Sequence, residues 1–129
     1  MSLNVAESGA GRPLRILLVE DDVDASKGLA RLLEHKGYVV RAVLDGRSAL
    51  DSLTHEPAPD VLLTDVQLPD LDGLSIVREA KKLNPSTRIA LITGWDFPSD
   101  EQEMKTLGVD GILLKPFEVR ELIEFIEDL

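Results

Sequence analysis

The sequence has no cysteine at all among its 129 residues. That single absence removes thiolate metal centres, cysteine nucleophiles and disulfide staples, and it is compatible with a cytosolic environment. Basic residues are also in short supply. Against 24 Asp and Glu stand 14 Lys and Arg, a formal charge of −10, so the chain by itself is expected not to grip a nucleic-acid backbone. No apolar run approaches the roughly 18 residues needed to span a bilayer. The N-terminus lacks a signal-peptide pattern, and a soluble, cytoplasmic protein with no membrane partner is expected.

What is present is enough for one core. A hydrophobic fraction of 43% in a chain of this length suits a single domain. Residues 1–13 are small and polar, cannot bury enough surface to offset their ordering, and are expected to form a flexible leader. Residues 14–129 then form the domain. Ile16-Leu17-Leu18-Val19 is a buried-strand run that stops at Glu20-Asp21-Asp22. Ala25, Leu29, Leu32 and Leu33 follow at helical spacing until Gly37. Val39–Val43 predicts a second strand, and Gly46, Ala49, Leu50 and Leu53 a second helix that Pro57 and Pro59 end.

The run Val61-Leu62-Leu63-Thr64 ends at Asp65, and after a turn marked by Pro69 and Gly73 a helix is expected over Leu74–Leu83. Ile89-Ala90-Leu91-Ile92 forms a fourth run, ending in Thr93-Gly94-Trp95. A fourth helix, roughly Pro98–Leu107, has only Met104 and Leu107 as apolar anchors and is expected to pack weakly. Ile112-Leu113-Leu114 leads into Lys115-Pro116, and Val119, Leu122, Ile123 and Ile126 make the last helical stripe. Five strand–helix pairs in alternation imply an α/β fold, a doubly wound parallel sheet with helices on both faces.

Right-handed crossovers bring the strand C-termini to one edge, where Glu20, Asp21, Asp65, Thr93 and Lys115 converge. Clustered carboxylates resist ionising together unless a cation compensates. With oxygen ligands only, Mg²⁺ is the expected ion, held by Asp21 and Asp65. A lysine charge and a threonine hydroxyl beside a carboxylate nucleophile suit phosphoryl transfer.

Four stretches, Ile-Leu-Leu-Val-Glu-Asp-Asp, Asp65-x-x-Leu-Pro-x-Leu-Asp-Gly, Ile-Thr-Gly and Leu-Lys-Pro-Phe, stand in one order. Through them the chain resembles the receiver domain of two-component response regulators over residues 14–129. The resemblance implies a flavodoxin-like sheet of order 2-1-3-4-5 and a cis Lys115-Pro116 peptide. It implies that Asp65 is the phosphoacceptor, supplied by a sensor histidine kinase or a histidine phosphotransfer protein. Asp21 and Asp65 would ligate Mg²⁺ directly, joined by the main-chain carbonyl of Gln67, with Glu20 acting through metal-bound water. Thr93 and Lys115 would hold phosphoryl oxygens, and a homodimer on phosphorylation is allowed. The family usually has Tyr or Phe where Ile112 stands, so an aromatic rotamer switch is not expected here, and Trp95 is bulky enough to cover the site.

Other residues have structural explanations. Asp22 and Asp24 are expected as helix caps, Asp70 and Asp72 as parts of the loop and the next helix start. His35 and His55 are expected on the solvated surface. Phe125 lies off the last apolar stripe and is read as a partner contact in preference to packing. A haloacid dehalogenase-type phosphatase would need an acid where Gln67 stands, two residues after Asp65. A receiver-like interaction module without phosphorylation is the more serious rival, and the intact acids, Thr93 and Lys115 speak against it.

Overall fold

The computed structural model describes residues 12–94 and 101–129. Its elements alternate without exception: β1 (Arg15–Val19), α1 (Val23–His35), β2 (Val39–Val43), α2 (Gly46–His55), β3 (Val61–Asp65), α3 (Gly73–Leu83), β4 (Arg88–Gly94), α4 (Glu101–Leu107), β5 (Gly111–Lys115) and α5 (Val119–Glu127). The strands pair in parallel in the order β2-β1-β3-β4-β5. Chain direction reverses its walk across the sheet beside β1, which leaves a crevice at the strand C-termini between β1 and β3.

Alternation along the strands divides the core into two layers. Ile16, Leu18, Leu63, Ile92 and Leu113 pack towards Leu33 of α1 and Leu122, Ile123 and Ile126 of α5. Leu17, Val19, Leu62 and Leu91 turn to the other side, against Ala49 and Leu53 of α2, Ile76, Val77 and Ala80 of α3, and Met104 of α4. The central strand β3 is buried along its whole length. Its apolar run therefore reads as continuous rather than alternating.

Helix starts follow local chemistry. Asp22, Asp45 and Asp72 each accept a hydrogen bond from a backbone N–H of the following turn, from Ala25, Ser48 and Leu74 respectively (3.0, 2.7 and 3.0 Å). Each satisfies a donor that the helix cannot pair internally. Asp24, expected as a cap, is an acidic residue of the first turn of α1 instead.

Two apolar stripes match the sequence expectation only in part: Leu29 and Leu33 of α1 and Leu122, Ile123 and Ile126 of α5 face the core as expected, while one member of each does not. In α1 the buried line is Ser26, Leu29, Ala30 and Leu33, while Leu32 is 37% exposed. A small serine in an inward position hid that phase from an apolar count. In α5, Val119 is 46% exposed, and Phe125, with Leu129 just past the helix end, packs on the core in addition to Leu122, Ile123 and Ile126. Phe125 lies so close to β5 that a Cβ on Gly111 would come within 2.7 Å of its ring. It is therefore a packing residue, contrary to the partner contact expected.

Arg12, within the stretch read as leader, forms a two-point ion pair with Asp60 (3.0 and 3.1 Å). Asp60 also accepts the Arg15 N–H at 2.8 Å. His35 and His55 are exposed. The Lys115-Pro116 peptide is cis. Among the described residues no helix is long and apolar enough to cross a membrane.

Candidate functional site

The register sets the site. Val19 pairs with Thr64, so Glu20 and Asp65 emerge side by side beyond β1 and β3. Asp65 pairs with Ile92, and Lys115 with Gly94. Continuing the alternation that points Leu18, Leu63 and Leu113 to one layer, Glu20, Asp65 and Lys115 share that face at the sheet edge. Lys115 reaches across β4, and its ammonium donates to Asp65 Oδ2 at 2.7 Å and to Glu20 Oε1 at 3.1 Å. Both carboxylates are nearly buried, Glu20 at 4% and Asp65 at 8%.

Oxygens of Glu20, Asp21 and Asp65 lie within 4.8 Å of one another. Three carboxylates at that spacing, with no nitrogen or sulfur donor among them, suit a hard dication. Asp21 is exposed and presents its carboxylate from the solvent side. Burial pushes the Glu20 carboxyl above its ordinary range, and the nearby Lys115 ammonium offsets only part of the rise. Burial alone would lower the Lys115 pKa, but hydrogen bonds from its ammonium to Asp65 and Glu20 outweigh that and raise it. The lysine therefore stays charged, compensating the two buried acids.

The loop after Asp65 is built tightly around it. The N–H of Gln67 donates to Asp65 Oδ1 at 3.0 Å, and Gln67 forms an isolated bridge with Asp72. The N–H of Gly73 donates to the Val66 carbonyl at 2.9 Å. A Cβ at Gly73 would sit 2.5 Å from the Asp65 carbonyl oxygen. Only glycine allows the start of α3 to come this close to the end of β3.

Thr93 is buried and has the opposite parity to Ile92 on its strand. Its hydroxyl donates to the Gly94 carbonyl at 3.3 Å. Among the described residues no hydrogen bond ties it to Asp65, Glu20 or Lys115. The geometry thus joins Glu20, Asp21, Asp65 and Lys115 directly, with Gln67 attached through its N–H. Trp95 and the start of the expected fourth helix lie outside the described residues. Ile112 pairs with Leu91 and packs on the layer under α2, α3 and α4.

Asp70 was expected to serve the loop and the next helix, and its carboxylate does more. It accepts the N–H groups of Gly46 (2.8 Å) and Arg47 (3.0 Å) at the start of α2. Those backbone bonds, that of Gly46 foremost, hold its carboxyl below the usual range. Nothing in the sequence around Asp70 reveals a partner 24 residues earlier. An open groove lined by Asp21, Ala25, Gly28, Leu32, Pro116 and Phe117 borders the acids on the other side.

Residues 16–127 match the family model for the response regulator receiver domain. The chain belongs to that family. The receiver protein CpdR of Brucella abortus (strain 2308) is 36% identical over 115 residues, covering 89% of this chain and 95% of that protein. The response regulator MprA of Mycolicibacterium vanbaalenii is 37% identical over 111 residues, but the chain spans only 48% of its length. Among solved structures, a CheY-like receiver domain from Methanospirillum hungatei JF-1 superposes with a TM-score of 0.81 at 30% identity, covering 89% of this chain and 91% of that one. A response regulator from Burkholderia pseudomallei, solved with a phosphorylated aspartic acid, calcium ion and citrate, superposes with a TM-score of 0.77 at 27% identity, covering 88% of this chain and 66% of that one. The receiver chain is a signalling component of two-component systems rather than a catalyst of metabolism. Its acidic group is of the kind that receivers use for Mg²⁺, and membership implies a histidine kinase as partner.

Proposed function

We propose that the protein is a phosphorylation-dependent switch that acts in the cytoplasm. Asp65 takes a phosphoryl group from the phosphohistidine of a sensor kinase or of a phosphotransfer protein. The observation that supports this most strongly is the Asp65 carboxylate itself. It is buried at a strand end, held by Lys115 at 2.7 Å, and has oxygens of two further acids within 4.8 Å. Asp21, Asp65 and the Gln67 main-chain carbonyl would hold Mg²⁺, with Glu20 acting through metal-bound water. Bound there, the ion supplies positive charge for the oxygens of the transferring group.

The remaining steps belong to the chain. A carboxylate oxygen of Asp65 forms the new bond to phosphorus as the phosphorus–nitrogen bond of the donor breaks, and the imidazole leaves with the electron pair. The Lys115 ammonium, already at Asp65, transfers its hydrogen bond to a phosphoryl oxygen. The Thr93 hydroxyl exchanges the Gly94 carbonyl for another, because a charge-assisted bond is stronger than a neutral one. The groove beside Asp21 leaves room for the donor to approach, and a homodimer can form once Asp65 is modified.

The test is intact-mass spectrometry after incubation with a small acyl phosphate and Mg²⁺. Wild type should gain one phosphoryl group and Asp65→Asn none. A gain in the variant overturns the assignment of Asp65, and no gain in wild type returns the protein to the class of unphosphorylated interaction modules.

A further inference from the structure

The segment between Asp65 and α3 is fastened at both ends. At one end, Gln67 donates to Asp65 Oδ1 at 3.0 Å, the bridge to Asp72 closes the loop on itself, and Gly73 lies under the Asp65 carbonyl. At the other, Asp70 takes the first two N–H groups of α2 at 2.8 and 3.0 Å. The same end is locked sterically. A Cβ on Gly46 would lie 2.7 Å from Leu71 Cβ, so the helix start and the loop are in direct van der Waals contact. The loop and α2 cannot move independently without breaking two charge-assisted hydrogen bonds.

From these contacts we infer that residues 66–72 are a strap carrying the state of Asp65 to the N-terminal turn of α2, by a route that does not pass through Thr93. It rests on Asp65 being the phosphoacceptor. Phosphorylation moves the negative charge from the carboxylate oxygens onto the phosphoryl group, so the Gln67 N–H loses its ionised acceptor and its bond weakens. Gln67 then re-aims. Because the bridge to Asp72 makes the loop one unit, Asp70 moves with it and pulls on the N–H groups of Gly46 and Arg47. The exposed residues Arg47, Ser48 and Asp51 on that helix are thereby placed under control of the site. Coupling of this kind needs an element that both ends bias, and the strap is that element.

Amide-resolved NMR with Mg²⁺ present throughout, before and after the addition of beryllofluoride, which mimics the aspartyl phosphate, tests the strap. In wild type the Gln67, Gly46 and Arg47 amide resonances should all shift. Asp70→Asn is exposed and conserves shape, but an amide nitrogen replaces one acceptor, so one of the two helix bonds is lost. In that variant Gln67 should still shift, while the response at Gly46 and Arg47 becomes smaller than in wild type, because only one helix bond and the Leu71 contact remain to transmit it. Equal responses at Gly46 and Arg47 in both proteins, or none there in wild type while Gln67 shifts, overturn the strap. No shift at Gln67 in wild type defeats the phosphoacceptor reading itself, and the strap falls with it.

Discussion

Replacing Lys115 by Met keeps most of the side chain's bulk and removes its charge. The ammonium is the counter-charge for two nearly buried acids, at 2.7 Å from Asp65 and 3.1 Å from Glu20. Breaking a fully buried pair by deleting one partner costs about 3–5 kcal/mol. The Lys115 side chain keeps 37% of its surface, so water screens part of the interaction and the expected loss is about 2 kcal/mol. In urea, with a slope of about 2 kcal/mol per M, the unfolding midpoint should fall by about 1 M without divalent cation. Mg²⁺ should then restore more stability to Lys115→Met than it adds to wild type, since no ammonium competes for the acids. A dication at tenfold its Kd contributes about 1.4 kcal/mol. Paired urea titrations with chelator and with Mg²⁺ measure both quantities. Equal midpoints in chelator, or a Mg²⁺ gain no larger than in wild type, would refute the electrostatic account of the site.

Three further substitutions probe the scaffold. Gly73→Ala drives a methyl group to within 2.5 Å of the Asp65 carbonyl and 2.8 Å of Val66 Cα; it should cost about 1–3 kcal/mol and slow phosphoryl uptake, by urea unfolding and timed mass spectrometry. Gly28→Ala on α1 meets no atom of the described residues within 4 Å, so removing a helical glycine should raise stability by about 0.5–1 kcal/mol, and a loss would show an unrecognised contact. Among the described residues the buried Tyr38 hydroxyl has no hydrogen-bond partner, so Tyr38→Phe should be neutral or stabilise by about 1 kcal/mol in thermal unfolding. Burial, aided by the Glu127 charge, raises the Tyr38 pKa above its ordinary 10.0. A raised folded pKa means that this contribution is complete below pH 10 and is lost as pH climbs towards the folded value. Tyr38 is the chain's single tyrosine, so phenolate absorbance should titrate later in the folded than in the unfolded protein, and Tyr38→Phe should lose less stability at alkaline pH.

The alternation of elements was legible because β1, β3, β4 and β5 carry short apolar runs and α1, α2 and α3 each start at an Asp cap. Glu20, Asp21, Asp65 and Lys115 were legible for the same reason, since each follows or ends such a run and parallel crossovers gather those ends. Helix phase was harder. Ser26 takes an inward position that an apolar count assigns to its neighbours, and Leu32 consequently faces solvent. The roles of Asp70 and Asp60 depend on partners 24 and 45 residues away, and acids in loops look alike until the tertiary structure supplies those donors. Phe125 was misjudged because Gly111, the residue that makes room for its ring, sits on a different element.

The central claim is that an acyl phosphate forms on Asp65. The most direct measurement is reductive trapping: the protein is incubated with an acyl phosphate donor and Mg²⁺, treated with borohydride, and mapped by peptide mass spectrometry. The account predicts conversion to homoserine at position 65 and nowhere else, abolished by chelator. Homoserine at Asp21, Asp22 or Asp72, or a phosphate that borohydride leaves untouched, would contradict it.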